Sequence, residues 1–429
     1  MKILVVGAGG REHALIWKLK QSRRVTDIHC APGNAGIADE ASCHDVAVDD
    51  IAGLVDLSKK LGVDLVVVGP ELPLTLGLAD RLNDEGVKVF GPSKQAAILE
   101  GSKAFMKDLC RDNHIPTARY ESFTDLEEAL SYLDDFDGNV VIKADGLAAG
   151  KGVIIPKSYE EARLAVKSML EDQQFGDASS EIVIEEFLDG VEASYFALTD
   201  GESILPFGTA EDHKRALDND EGPNTGGMGA FSPSPLITAD MEQKIIADIL
   251  EPTIKGLRDK GITYKGVLYA GLMIVEGEPR LLEYNVRFGD PECQVLMMRL
   301  ESDLVDILEA VCDGRVGETR KSVRWAERTA LTVVMSAKGY PESYKKGTVI
   351  KGLEKLPAQT GLVVFHAGTA RDNDGHIINS GGRVLNATAA GECLADARKQ
   401  AYALLEYIDW PEGFYRSDIG LKRLSGCAA

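Results

Sequence analysis

Glu283, Asn285 and Arg287 occupy alternate positions in the run Arg280-Leu281-Leu282-Glu283-Tyr284-Asn285-Val286-Arg287-Phe288-Gly289-Asp290-Pro291-Glu292. Alternate side chains of an extended strand share a face, so a carboxylate, an amide oxygen and a guanidinium would converge there. Leu282, Tyr284, Val286 and Phe288 then form an apolar face suited to a core. Hard oxygen ligands suit magnesium or manganese, with substrate phosphates completing the shell. A guanidinium two residues further on is placed to stabilise charge on a transferring phosphoryl group. The plainer reading is an amphipathic strand with a solvated polar face, but all three polar groups fit one task.

Three other segments carry candidate chemistry. Gly7-Ala8-Gly9-Gly10-Arg11-Glu12-His13 runs from a strand into a helix, where backbone amides can hold a phosphate. A dinucleotide site needs a third glycine at position 12 and an acid after the second strand; Glu12 and Cys30-Ala31-Pro32-Gly33 stand there instead. In Ala144-Asp145-Gly146-Leu147-Ala148-Ala149-Gly150-Lys151-Gly152, a glycine-rich hairpin could fold over a triphosphate neutralised by Lys143 and Lys151, or be a plain turn. Glu185-Glu186-Phe187-Leu188, with Glu192 beyond, offers an extended backbone for an adenine edge and a carboxylate for ribose hydroxyls, or simply a solvated strand edge. Asp212-His213-Lys214-Arg215 then precedes Gly222-Pro223-Asn224-Thr225-Gly226-Gly227-Met228-Gly229, a loop expected to be free to close over a ligand.

The elements that must position these residues follow from periodicity. Ile3 to Val6, Asp64 to Val68 and Lys88 to Phe90 are short apolar strands, alternating with helices from Gly10 and near Leu74 to Leu82, the signature of a parallel α/β sheet. A helix from Gly101 is followed by a compact α+β unit: helix Leu126 to Leu133, strands Val140 to Lys143 and Val153 to Ile155, helix Tyr159 to Leu170 and strand Ile182 to Ile184. Long strands from Val191 to Glu283, with a helix near Met241 to Arg258, form a larger sheet. Strands Ala330 to Ser336, Val363 to Ala367 and Arg383 to Ala387, and the helix Cys393 to Tyr407, suggest a C-terminal cap.

The 429 residues exceed one core's usual span, and 44% hydrophobic with 27% charged residues is the balance of a globular protein. A net charge of -21 without a basic run offers nucleic acid no track. Seven singly scattered cysteines without CxxC spacing fit free thiols in a reducing cytoplasm. No apolar run approaches the roughly eighteen residues of a membrane span, and the N-terminus enters a strand without a leader pattern. A cytoplasmic protein with no membrane partner is expected.

Taken in order, the motifs resemble the glycinamide ribonucleotide synthetase (phosphoribosylamine-glycine ligase) family of the ATP-grasp superfamily. The resemblance rests on Gly-x-Gly-Gly-Arg-Glu-His, Val-Gly-Pro-Glu ending at Glu71, Leu-Glu-Gly-Ser-Lys ending at Lys103 and Ile-Lys-Ala-Asp-Gly-Leu-Ala-Ala-Gly-Lys-Gly. It continues through Pro-Asn-Thr-Gly-Gly-Met-Gly, the Glu283 run, and Phe365-His-Ala-Gly-Thr followed by Gly381-Gly-Arg383-Val. It implies an α/β and α+β multidomain ATP-grasp fold: an N-terminal parallel α/β substrate domain over 1–101, a central ATP-grasp domain over 102–121 and 191–325, a small mobile lid over 122–190 and a cap over 326–429. It also implies ATP-dependent joining of glycine to 5-phosphoribosylamine through a glycyl phosphate, in purine biosynthesis. Another ATP-grasp carboxylate-amine ligase is the alternative. A monomer is the expected state, a dimer the alternative.

The same resemblance implies residue roles. Lys103, Lys143, Gly146, Gly150, Lys151 and Gly152 would hold ATP phosphates, Glu185, Glu186, Phe187 and Leu188 adenine, and Glu192 ribose. Glu283 and Asn285 would hold the metal, Mg2+ or Mn2+. Lys214 and Arg287 would face the acyl phosphate and Asp290 would join them as a catalytic candidate. Gly9, Gly10, Glu71, Asp212, Thr225, Gly226, Gly227 and Arg383 would line the substrate pocket. One departure from many superfamily members stands out: Gly266-Val267-Leu268-Tyr269-Ala270-Gly271, the strand before the metal strand, has no carboxylate, so Glu283 is expected to do more of the metal binding.

Overall fold

Val, Ile and Leu runs buried on both faces make parallel strands, and the N-terminal sheet is built from them: Lys2–Gly7 is buried from Ile3 on, and Leu65–Val68 throughout. A computed structural model describes residues 1–136, 139–147, 152–174, 176–319 and 322–426. The sheet order is Ser42–Cys43, Asp27–Pro32, Lys2–Gly7, Leu65–Val68, Val89–Phe90, all parallel. The chain enters helix Gly10–Leu19 at the C-terminal end of the first strand, at the sheet's switch point. The helix expected over Leu74 to Leu82 is two, Glu71–Thr75 and Leu78–Asp84, because Gly77 adopts φ 92° between them. Helices Ile51–Leu61 and Lys94–Gly101 complete this region and were not anticipated.

The next sheet is antiparallel, in the order Tyr120–Phe123, Ile182–Glu186, Val140–Ala144, Val153–Ile154. Helices Leu126–Leu133 and Tyr159–Leu170, capped by Asp125 and Ser158, enclose with it a separate core that includes Ile142, Val166 and Met169. The large sheet runs Glu278–Asn285, Gly266–Val275, Val191–Thr199, Ile204–Asp212, Gly229–Ser232, Thr329–Ala337, Arg383–Gly391, Leu362–His366, with Gly413–Phe414 beside Thr329–Ala337. The C-terminal strands thus extend the central sheet through Gly229–Ser232 instead of forming a sheet apart. The helix expected near Met241 to Arg258 is three joined segments, Ala239–Lys244, a π-helical Ile245–Leu250 and Glu251–Asp259. Pro252 explains the widened turn, since it lacks an N–H and its ring crowds the carbonyl of Asp248.

Two details correct the sequence reading of the Glu283 strand. It ends at Asn285, so Arg287 lies in the turn beyond it. The pairing also slips between Gly271↔Glu283 and Leu272↔Leu281, which leaves Leu282 as the extra residue of a β-bulge. Leu281, not Leu282, therefore enters the core with Tyr284 and Val286.

The N- and C-terminal regions meet along a histidine seam. The His366 N–H donates to His13 Nδ1 at 2.8 Å, and Asn34 Nδ2 donates to the carbonyls of Ala8 and His366 at 2.9 Å each. Burial, reinforced by His13 and Arg371, pushes the His366 imidazole down to about 3 from its ordinary 6.5. A depressed folded pKa means that its stabilising contribution is present above pH 6.5 and is lost as the pH falls toward 3. Urea unfolding at a series of pH values through this window is expected to show a fall in stability on acidification. In His366→Asn that slope is shallower by up to about 1.4 kcal/mol per pH unit.

Candidate active site

Lys143 sits on a strand of the small sheet, and its Nζ is 2.8 Å from Glu185 Oε1 on the neighbouring strand. Lys107, one turn beyond Lys103 on helix Lys103–Asp112, approaches Glu185 Oε2 at 2.8 Å. Both lysines and the carboxylate are buried. Burial alone would raise the Glu185 pKa, but the two ammonium groups outweigh it and hold it below the ordinary carboxylate value. Glu185 is therefore a counter-charge beneath Lys143. Lys103 Nζ donates to the carbonyls of Asp145 at 3.3 Å and Gly146 at 3.1 Å, while Asp145 Oδ1 accepts from the Ala104 N–H at 2.7 Å. The start of the glycine-rich segment is thus tied to a helix N-terminus. Its return is tied by the Ala144 N–H on the Gly152 carbonyl at 2.8 Å; Gly150 and Lys151 lie outside the described residues.

At the strand end, the Glu186 N–H is taken by the Arg119 carbonyl at 2.9 Å, and its Oε1 accepts from the Arg119 N–H at 2.9 Å. Leu188 is buried, whereas Phe187 is exposed. Glu192 pairs with Lys214 across the large sheet.

Glu283 and Asn285 are half-buried, and among the described residues neither side chain has a hydrogen-bond partner. Burial pushes the Glu283 pKa up, but Lys214, Lys143, Lys103 and Arg287 together hold it below the ordinary value. Opposite it stands Gly271, where a β-carbon would lie 3.3 Å from Glu283 Cγ. An anionic oxygen and an amide oxygen, both unspent among the described residues, are a fit for a hard divalent ion. Lys214 titrates well above its ordinary value, because Glu192, Asp212 and Glu283 overcome its burial. Asp212 is pushed up to about 7 by burial, with Lys214 opposing and Glu292 and Glu192 adding to the rise.

Arg287 is held between two carboxylates: its Nε is 3.2 Å from Glu71 Oε2 and its Nη2 is 2.9 Å from Glu100 Oε1. Glu100 also accepts from the Val286 N–H at 2.7 Å. This clamp joins the turn after the Glu283 strand to the N-terminal α/β region.

Gly9, Gly10, Asp290, Gly226, Gly227 and Arg383 come together on the other side. Arg383 Nη1 donates to the carbonyls of Gly226 at 2.6 Å, Gly227 at 3.3 Å and Asp290, and its Nη2 is 3.6 Å from Asp290 Oδ2. Gln294 Nε2 donates to Asp290 Oδ1 at 2.7 Å and Asn386 Oδ1 at 3.3 Å. A β-carbon on Gly10 would meet both the Gln294 and Asn386 amides at 2.5 Å, so only glycine lets the turn approach them. The N-terminal glycine turn already encloses an anion of the protein's own. Glu12 Oε2 accepts from the Gly9 N–H at 2.5 Å, Glu12 Oε1 pairs with Arg11 Nε at 2.6 Å, and a β-carbon on Gly69 would stand 1.9 Å from Glu12 Oε1. The glycine-rich loop expected to be free is anchored. Its residues Glu221–Asn224 pair with Arg215–Leu217, the Thr225 N–H donates to the Lys214 carbonyl at 2.8 Å, and Arg383 grips the tip.

Three family models match consecutive parts of the chain: phosphoribosylglycinamide synthetase N domain over residues 1–100, ATP-grasp (A) domain over 101–293 and C domain over 330–422. The chain belongs to the phosphoribosylglycinamide synthetase family. A phosphoribosylamine–glycine ligase from Brucella melitensis is 54% identical over 420 residues, covering 98% of this chain and 97% of its own. The crystal structure of phosphoribosylamine–glycine ligase from Thermotoga maritima superposes with a TM-score of 0.85 at 35% identity, covering 97% of this chain and all of its own. The biotin carboxylase domain of Hydrogenobacter thermophilus 2-oxoglutarate carboxylase, solved with MgADP and bicarbonate, shares the fold: TM-score 0.74, 18% identity, 96% and 91% coverage. With its ATP-grasp domain, the synthetase family is an ATP-grasp ligase family.

Within this synthetase site, sequence reasoning passed over Lys107, Glu100, Gln294 and Asn386. Lys107 was detectable as a second lysine one helical turn after Lys103, and Glu100 stood inside the Leu-Glu-Gly-Ser-Lys run without a role; Gln294 and Asn386 gave no local signal, because their partners lie far away in the chain. Glu185→Gln strands two buried ammonium groups and is expected to cost about 3 kcal/mol or more of unfolding free energy in urea titration. Glu192→Gln, which breaks a half-exposed pair, is expected to cost at most about 1 kcal/mol in the same measurement.

Proposed function

We propose that this chain joins glycine to 5-phosphoribosylamine with ATP, giving glycinamide ribonucleotide, ADP and phosphate, in the space bounded by Glu283, Asn285, Lys143, Lys214 and Asp290. The observation that carries the residue assignment is the pair of unspent oxygens on Glu283 and Asn285 inside a ring of cations, next to the Gly9, Asp290 and Arg383 cluster. A glycine carboxylate oxygen attacks the γ-phosphorus of ATP and ADP leaves. The amine of phosphoribosylamine then attacks the acyl carbon, phosphate leaves, and the new amide nitrogen sheds a proton.

Lys103 and Lys143 neutralise the triphosphate, with Gly146, Gly150, Lys151 and Gly152 over it and Glu185 fixing Lys143 from below. Glu186, Phe187 and Leu188 hold adenine, and Glu192 faces the ribose. Lys214 and Arg287 lower the charge on the transferring phosphoryl group, each oriented by its carboxylate partners. Gly9, Gly10, Glu71, Asp212, Thr225, Gly226, Gly227, Asp290 and Arg383 line the acceptor side. Glu283 and Asn285 would hold a divalent ion, Mg2+ or Mn2+, which would supply neutralisation of phosphate charge. The 122–190 unit acts as a lid on the central 102–121 and 191–325 domain, with 1–101 and 326–429 supplying the acceptor side.

Among the described residues no helix is long and apolar enough to cross a membrane, and the six of the seven cysteines that lie among them are free. Both fit an enzyme acting in the cytoplasm; a monomer, with a dimer as the alternative, and small-molecule partners instead of nucleic acid belong to the same proposal.

ADP release with glycine and phosphoribosylamine, each omitted in turn, is expected to need both. Far better turnover with another carboxylate or amine overturns the substrate assignment. Glu283→Gln is expected to lower kcat at least about a hundredfold with an unchanged circular dichroism spectrum. Near-normal turnover at low metal concentration sinks the metal assignment.

A further inference from the structure

Lys214 stands on a short connection between two strands. The Lys214 ammonium pairs with Glu192 beside Asp212 and Glu283, while the His213 ring and the Arg215 carbonyl meet the C-terminal tail. The Arg215 guanidinium itself donates to the Gly222 carbonyl at 2.9 Å. The tail returns to this spot from two hundred residues away. Arg416 is 1% exposed and meets Asp418 with Nε on Oδ1 and Nη2 on Oδ2, each at 2.8 Å. Its Nη2 also reaches Asp220 Oδ1 at 2.9 Å, and its Nη1 donates to the Arg215 carbonyl at 3.0 Å. The Gly420 N–H donates to His213 Nε2 at 3.2 Å.

The backbone these contacts hold is unfavourable by itself. Asn219 and Asp220 adopt φ of 59° and 56°, a left-handed conformation that persists in non-glycine residues only where the surroundings impose it. Burial and Arg416 keep His213 down at about 4, so it is neutral at physiological pH and can accept the Gly420 N–H. A fully buried guanidinium is expensive unless it is well paired, and here each of its three nitrogens donates, through four hydrogen bonds in all. Its partners are the two sides of one junction, the tail and the segment carrying Lys214.

We propose that Arg416, with Asp418 and Asp220, is a positioning unit that fixes Lys214 in the ligation site through the Arg215 carbonyl and His213. The proposal rests on the reading of Lys214 as an acyl-phosphate contact. A loosened anchor would let the Lys214 ammonium wander by an ångström or so, a displacement that costs catalysis far more than binding.

The test is a double-mutant cycle on the full chain, with Arg416→Lys, Lys214→Ala and the double variant assayed for ADP release with saturating glycine and phosphoribosylamine. Arg416→Lys is expected to lower kcat about tenfold, with the KM for ATP within about twofold. In the Lys214→Ala background it is expected to change the residual kcat by less than about twofold, because both act as one unit. Equal losses in both backgrounds, or a lowered Tm with normal kcat, overturn the proposal. If Lys214→Ala keeps normal kcat, the reading of Lys214 itself falls and takes the proposal with it. If Lys214→Ala collapses kcat and Arg416→Lys does not, only the proposal falls. Should Arg416→Lys fail to fold, the isosteric Asp418→Asn replaces it in the same cycle with the same expectations.

Discussion

Positive charge gathered where water is scarce is the constraint on which this structure depends. Lys103, Lys107, Lys143, Lys214 and Arg287 are brought from four separate stretches of chain to one seam, in a molecule whose net charge is -21. Removing cations from water is tolerated only when carboxylates and carbonyls surround them. Glu185 serves Lys107 and Lys143, Glu71 and Glu100 serve Arg287, Glu192 serves Lys214, and the Asp145 and Gly146 carbonyls serve Lys103. Each acid comes from a different element than its cation, so satisfying the charges assembles the small sheet, the large sheet and the N-terminal region around the site. Glu283 sits within this arrangement without a hydrogen bond of its own among the described residues, which leaves its charge directed at whatever enters.

The same logic governs the acceptor side, with carbonyls in the principal role. Arg383, on a C-terminal strand, grips Gly226, Gly227 and Asp290 through their main chain. Gln294 and Asn386 fill the space that the absent side chain of Gly10 leaves. Because the C-terminal strands continue the central sheet through Gly229–Ser232, the strand carrying Arg383 is fixed in register relative to the strands carrying Asp212 and Glu283. Continuity of hydrogen-bonded backbone, more than any domain interface, sets the distance between the two halves of the site.

Much of this was legible in the sequence. The short apolar runs Ile3 to Val6 and Asp64 to Val68, alternating with helices, announced parallel strands, and alternation around Tyr284 and Val286 announced the Glu283 strand. The order of motifs announced the family. What was not legible depended on partners distant in the chain. Nothing near Glu12 says that its carboxylate fills its own glycine turn, and nothing near Gly226 says that an arginine more than 150 residues later holds it. The loop over 222–229 looked free because glycines signal freedom only until another segment grips them. The helix break at Gly77 and the π-turn before Pro252 were local, but the reading there gave periodicity too much weight and those two residues too little.

The bulge at Leu282 sets a frame. It inserts one residue between the part of the strand paired through Arg280 and Leu281 and the part bearing Glu283 and Asn285. Because the bulge absorbs that residue, Glu283 and Tyr284 stay opposite Gly271 and Ala270, and losing Leu282 alone would straighten the ladder without exchanging faces. One residue added or lost between Glu283 and Asn285 would instead turn the strand over beyond that point. The interval from Glu283 to Asn285 is therefore closed to insertion and deletion, however freely the surrounding loops vary in length, while Leu282 is the residue the ladder could lose. In this stretch the count of residues carries as much chemical information as their identity.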